Sequence, residues 1–135
     1  MKKIEVVAGV LVNDDKCLCV QRPKHKLDYI SEKFEFPGGK IEDCETRQEA
    51  LKRELHEELN IKVEVGDFIM TVNHQYPDFE LTMHAFRIDV ESREIRLNEH
   101  IYQIWLDRED LLQLDWAAAD IPIVEKLKTL EWESL

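Results

Sequence analysis

The chain has 135 residues and a formal net charge of −11, and 44% of it is hydrophobic and 35% charged. That composition is ordinary for a globular protein, and the length suits one domain, 1–135, with its own core. The acidic balance argues against polymeric nucleic acid or an anionic membrane as partner, since both call for basic patches; it admits a small anionic substrate if a divalent cation bridges the repulsion.

The N-terminal MKKIEVVAGVLVNDD carries two lysines and a short apolar run without a small-residue cleavage site. It reads as a first strand, Ile4 to Val12, rather than an export signal. Asn13-Asp14-Asp15 predicts a turn and Cys17 to Gln21 a second strand. The cysteines are Cys17, Cys19 and Cys44. An odd count without an export signal argues for reduced thiols and a cytoplasmic setting. Cys17 and Cys19 share one strand face and read as two half-buried strand cysteines in preference to a C-x-C metal site. Arg22 to Lys33 reads as a loop, and Phe34 to Gly39 as an extended piece broken by Pro37 and two glycines.

Thr46 followed by Glu49 forms a capping box, so a helix is expected from Thr46 to Asn60. Leu51, Leu55 and Leu59 define its buried stripe. Glu54, Glu57 and Glu58 fall at i, i+3 and i+4 and share the adjoining face. Lys52 and Arg53 are expected off that face, leaving the carboxylates without a countercharge on their own helix. Such like-charge spacing costs a few tenths of a kcal/mol, roughly, and a hard cation with oxygen ligands is the natural compensation.

Ile61 to Tyr76 and Leu81 to Val90 predict a hairpin turned at Pro77-Asp78, and His100 to Leu106 a further strand. Arg108 to Gln113 and Ile121 to Trp132 predict short closing helices. No apolar run approaches the ~20 residues of a membrane span, and no G-x-G-x-x-G or P-loop occurs. The order of elements suggests a mixed sheet covered by helices.

From Gly39 the chain reads Gly39, five residues, Glu45, seven residues, Arg53-Glu54-Leu55, one residue, Glu57-Glu58, one residue, Asn60-Ile61. This resembles the Nudix box, G-x5-E-x7-R-E-U-x-E-E-x-G-U with U aliphatic. Eight of the nine defined positions match; the ninth has Asn60 where the box has glycine. Asn is the next best residue for ending a helix in the left-handed conformation, so the departure touches the helix stop and not the chemistry. MKKIEVVAGV, Gln21-Arg22, Lys33 to Lys40 and Ala119-Asp120-Ile121-Pro122 are similar to the MutT-like branch of the Nudix hydrolases, and within it to the bacterial CTP pyrophosphohydrolases.

The resemblance implies the Nudix α/β/α sandwich, with a mixed sheet between helices. It implies Mg²⁺-dependent cleavage (Mn²⁺ as a substitute) of a nucleoside triphosphate to the monophosphate and pyrophosphate. It also implies the residue roles. Glu54, Glu57 and Glu58 are the metal-binding glutamates, with Gly39 bringing its backbone to the metal. Glu99, in the loop before the His100 strand, is a further metal ligand or the general base, a role Glu54 could also fill. Glu45 and Arg53 brace the loop against the helix, and Asn60 ends it. On the substrate side, Arg22 matches a phosphate-contacting arginine, Asp120 reads the base edge, and Phe36 and Lys40 are further candidate substrate-binding residues. An Asp accepts hydrogen bonds, which favours an exocyclic amine such as cytosine N4. Phe34 and Phe36 flank Glu35 and are expected on opposite faces, one near the base and one in the core. Plainer readings stay open: Glu99 as a solvated loop acid, Arg22 as a surface arginine, Asp120 as the N-cap of the last helix. The histidines show no metal spacing and read as bystanders, except that His74 and Tyr76 could line the pocket mouth. CTP or dCTP is the expected substrate. An oxidised purine triphosphate such as 8-oxo-dGTP is the alternative, and a non-catalytic nucleotide sensor the reading from another class. Oligomeric state is not legible.

Overall fold

The computed structural model describes residues 1–131. Its strands are β1 (Lys2–Asn13), β2 (Lys16–Gln21), β3 (Phe34–Glu35), β4 (Gly38–Lys40), β5 (Phe68–Gln75), β6 (Phe79–Asp89) and β7 (Tyr102–Asp107). Its helices are α1 (Arg47–Leu59) and α2 (Ile121–Thr129), with 3₁₀ turns at Arg108–Gln113 and Ala118–Asp120. The last helix stops at Thr129, with Leu130 extended, short of the expected end at Trp132, which itself lies outside the described residues.

One mixed sheet runs in the order β3-β2-β1-β6-β5, with β4 added to β1 and β7 to β2. β1 and β6 are parallel, from Lys2↔Phe79 to Val12↔Asp89. β5 and β6 form an antiparallel hairpin. Side chains alternate across β1 and β2. Val7, Leu11, Leu18 and Val20 pack on one face with Leu51, Leu55 and Leu59 of α1. Ala8, Val10, Val12, Cys17 and Cys19 pack on the other with Ile123, Val124 and Leu127 of α2. The result is an α/β/α sandwich. Both strand cysteines are completely buried rather than half-buried, and burial pushes the Cys17 thiol up to about 12.

The ends of α1 follow the expected local chemistry. Thr46 accepts from the Glu49 N–H at 3.1 Å while Glu49 accepts from the Thr46 N–H at 2.8 Å. Asn60 stands in the left-handed conformation at φ 56° and ψ 41° and caps the His56 carbonyl. The stretch 61–67 is not strand. Ile61, Val63 and Val65 alternate as a strand would, yet they pack as an irregular connector against the α1 side of the core. β5 begins at Phe68, and β7 at Tyr102 rather than His100.

Candidate active site

A cavity of about 730 Å³ opens beside the C-terminal half of α1. This is within the size range of small-molecule sites. Its wall includes polar side chains, Arg22, Glu35, Lys40, Glu58, Glu99 and Asp120, and apolar ones, Ile4, Leu27, Tyr76, Phe79, Leu81 and Met83. Of the residues singled out from sequence, the cavity wall includes Arg22, Phe36, Gly39, Lys40, Glu58, Glu99 and Asp120. Glu54 and Glu57 are not on the wall: the Glu54 carboxyl lies against Gly39, and Glu57 stands more than half exposed beside Arg53.

The glycine pair is required by close approach. β4 pairs with β1 through Ala8↔Gly38 and Val7↔Gly39. A Cβ on Gly38 would meet the Val7 carbonyl oxygen at 1.9 Å, and one on Gly39 would meet the Glu54 carboxyl carbon at 2.3 Å. The loop carrying Glu99 is pinned to the end of α1, where helix carbonyls lack intrahelical partners. There the Arg96 N–H donates to the Leu59 carbonyl and the Asn98 N–H to the Glu58 carbonyl, each at 3.0 Å. Asn98 Nδ2 adds a bond to the Glu57 carbonyl at 2.8 Å. These bonds carry Glu99 to the carboxylate face of the helix.

Arg53 departs from expectation. Its Nε and Nη2 donate to both Glu45 oxygens at 2.7 and 2.9 Å, and Nη2 also reaches the Lys40 carbonyl at 3.0 Å. This is the brace between loop and helix. The same guanidinium supplies the countercharge that the helix was expected to lack: Nη1 lies 2.9 Å from Glu54 Oε1 and 3.3 Å from Glu57 Oε2. A long side chain on the neighbouring face can lean across, which residue spacing alone does not reveal. Glu45 responds with a carboxyl pulled down to about 2, chiefly by its hydrogen bonds from Arg53.

Glu58 has no such partner. It is buried, and its Oε2 makes no hydrogen bond. Burial, and then the charges of Glu35, Glu99 and Glu54, push its carboxyl up to about 9. Glu54 is raised as well, by burial first, with Arg53 pulling it back. Among the described residues no three His, Cys, Asp or Glu side chains stand close enough to grip an ion as they are oriented, and Arg53 holds Glu54 and Glu57. A buried carboxylate with an unpaired oxygen, acted on by the charges of Glu35, Glu99 and Glu54, is nonetheless the donor chemistry that suits a hard divalent cation.

Asp120 is not an N-cap. Its backbone is already helical and its side chain makes no capping bond. Its Oδ1 instead accepts from the Phe36 N–H at 3.0 Å across the cavity wall. Burial, and then Glu35, push its carboxyl well above the usual range. Phe34 and Phe36 do not face opposite ways. Two residues apart on extended chain they share a face, and both rings meet Trp116, at 6.5 and 4.7 Å between centroids. Glu35 is the residue turned the other way.

Sequence reading missed Glu35, and His100 is no bystander. Glu35 Oε1 lies 3.3 Å from Arg22 Nη1, and its Oε2 lies 2.9 Å from His100 Nε2. No local signal marks that pairing, which joins residues far apart in the chain. Tyr76 lines the cavity, accepts from the Ala119 N–H at 3.0 Å, and stacks on Tyr29 at 5.2 Å. His74 packs against Tyr76 but is not on the cavity wall.

The chain is similar to known proteins over nearly its whole length. It is 35% identical over 130 residues to the CTP pyrophosphohydrolase of Escherichia coli K12, covering 96% of this chain and 95% of that protein. It is 29% identical over 130 residues to the 8-oxo-dGTP diphosphatase of the same organism, covering 96% of this chain and all of that protein. The solution structure of the E. coli ORF135 protein superposes with a TM-score of 0.83 at 36% identity, covering 96% of this chain and 91% of that one. The NUDIX domain model matches residues 3–127, and the chain belongs to the NUDIX family.

Proposed function

We propose that this chain is a divalent-metal-dependent nucleoside triphosphate pyrophosphohydrolase, adding water to (d)CTP or a modified pyrimidine or purine (d)NTP to give the monophosphate and pyrophosphate. The observation that carries the reading is Glu58, a buried carboxylate with an unpaired oxygen on the wall of a nucleotide-sized cavity. Glu54, Glu57, Glu58 and Glu99, with the backbone at Gly39, would hold Mg²⁺ or Mn²⁺. Bound there, the ion would supply neutralisation of phosphate charge and a more acidic water. Glu54 or Glu99 takes the proton of the attacking water. Both are carboxylates beside the same cluster, and distance to that water decides between them. Arg22 and Lys40, both on the cavity wall, meet the phosphate chain. Asp120 and Phe36 meet the base.

Two relatives frame the substrate, one named for CTP and one for 8-oxo-dGTP. Asp120 in its ionised form favours an amine edge, which cytosine presents at N4 and guanine at N1 and N2. CTP is the first choice and 8-oxo-dGTP the alternative. A non-catalytic sensor is disfavoured because Glu54, Glu57 and Glu58 are all retained. A cytoplasmic setting is supported by three cysteines outside any disulfide, and no helix among the described residues is long and apolar enough to cross a membrane. The test is one panel of CTP, dCTP, UTP, dGTP and 8-oxo-dGTP compared by kcat/KM. A cytosine or 8-oxoguanine substrate leading the panel supports the reading, and UTP leading it contradicts it.

A further inference from the structure

The cavity wall carries a chain of three side chains from separate parts of the fold. His100, just before β7, places Nε2 2.9 Å from Glu35 Oε2 on β3. Glu35 Oε1 lies 3.3 Å from Arg22 Nη1, at the end of β2. All three line the cavity. The exposures run from fixed to free: the His100 side chain is 4% exposed, Glu35 22% and Arg22 37%. Backbone bonds hold the ends in place, from the Ile101 N–H to the Gln21 carbonyl and from the Arg22 N–H to the Lys33 carbonyl, each at 2.9 Å.

A half-exposed arginine on its own spreads over many rotamers, and ordering it on substrate binding costs affinity. Here one carboxylate, held by a rigid buried ring, keeps the guanidinium in place beforehand. The ring is more than a satisfied core histidine, because its Nδ1 is buried without a partner, an arrangement that packing alone would penalise. We infer that His100 is a positioning residue for the phosphate chain of the substrate: it fixes Glu35, and Glu35 fixes Arg22. The inference rests on the proposed reading that Arg22 meets phosphate.

Two amide variants separate the relay from mere packing. The amide N–H of a glutamine can reach the position of the histidine Nε2, whereas that of an asparagine stops short. His100→Asn is expected to raise KM for the best nucleotide about tenfold, a loss of roughly 1.4 kcal/mol, with kcat held within about threefold. His100→Gln is expected to restore most of the wild-type KM. Inhibition by inorganic pyrophosphate, a probe without a base, should weaken in His100→Asn by the same factor as KM. On a Glu35→Ala background the two variants should have equal KM. Melting temperatures are recorded throughout. Should His100→Asn fail to fold, Glu35→Ala carries the test, and it must raise KM and the pyrophosphate inhibition constant together. Equal KM for wild type, His100→Asn and His100→Gln overturns the inference. So does a full Asn-versus-Gln difference without Glu35, or a KM rise with pyrophosphate inhibition unchanged. A wild type that turns over no nucleotide overturns the proposed function instead, so the two failures are distinct.

Discussion

The carboxyl group of Glu54 occupies the space where a side chain on Gly39 would begin: a Cβ there would stand 2.3 Å from its carboxyl carbon. The neighbouring glycine differs, because a Cβ on Gly38 would meet the backbone oxygen of Val7 at 1.9 Å. A side-chain carboxylate can swing away; a paired strand cannot. Gly39→Ala is therefore expected to fold with a near-wild-type melting temperature and to lose about 10²-fold in kcat, the scale of an ångström's misplacement. Gly38→Ala is expected to lose stability, by at least the ~1–3 kcal/mol of an overpacked core. Melting curves and kcat for the pair check this, and a fully active Gly39→Ala removes Glu54 from the site.

Glu58 makes metal-free stability depend on pH. Its folded carboxyl is pushed to about 9 from an ordinary 4.5. Between those values the folded protein keeps a proton that the unfolded chain has released, so stability falls as pH rises through that window and levels off above it. In EDTA, Glu58→Gln should melt with wild type at pH ~4 and clearly above it at pH ~8. Mg²⁺ should raise the wild-type melting temperature at pH ~8 and leave the variant nearly unmoved, because metal replaces the proton only where a carboxylate exists. Parallel melting curves for the two proteins across pH contradict the account.

Arg53 serves the brace and the carboxylate face at once. Lysine cannot reproduce a fork that reaches both Glu45 oxygens, the Lys40 carbonyl and Glu54. Arg53→Lys should return the Glu45 carboxyl from about 2 toward the ordinary 4.5, as read by NMR titration. It should lower kcat by about tenfold or more, because Glu54 loses its orienting partner. An unmoved Glu45 titration would show that the brace does not depend on the fork.

We propose that Asp120 sets the base preference. Its ionised form rewards the N4 amine of cytosine and penalises the uracil carbonyl, by about 1–3 kcal/mol. Its carboxyl is raised well above the ordinary range, and the protonated form can donate to uracil. The CTP/UTP ratio of kcat/KM should therefore rise with pH as Asp120 ionises. Asp120→Asn should flatten that dependence, and Asp120→Ala should shrink the ratio while leaving the Phe36 N–H unsatisfied, at about 1–3 kcal/mol of stability. A ratio indifferent to pH and to both substitutions removes Asp120 from base reading.

Local signals were legible in the sequence, and long-range pairings were not. The Thr46 box, the leucine stripe and the left-handed Asn60 each depend on residues within a turn or two, and each stands as expected. The turn at Pro77-Asp78 separates β5 and β6 for the same reason. Ile61, Val63 and Val65 misled because alternation records burial, and an irregular connector over a core can alternate too. Of the candidate site, the shared face of Glu54, Glu57 and Glu58 follows from spacing along one helix, and their proposed role, with that of Gly39, from the resemblance. The Arg22-Glu35-His100 chain and the Asp120–Phe36 bond depend on which strands lie side by side. No periodicity encodes that, so Glu35 went unnoticed and His100 was set aside.

The most direct measurement of the central claim is ³¹P NMR of CTP incubated with the purified protein, with Mg²⁺ in one tube and EDTA in the other. The account predicts CMP and pyrophosphate as the only products with Mg²⁺, and intact CTP in EDTA. Turnover in EDTA, or release of orthophosphate and CDP with Mg²⁺, would contradict it.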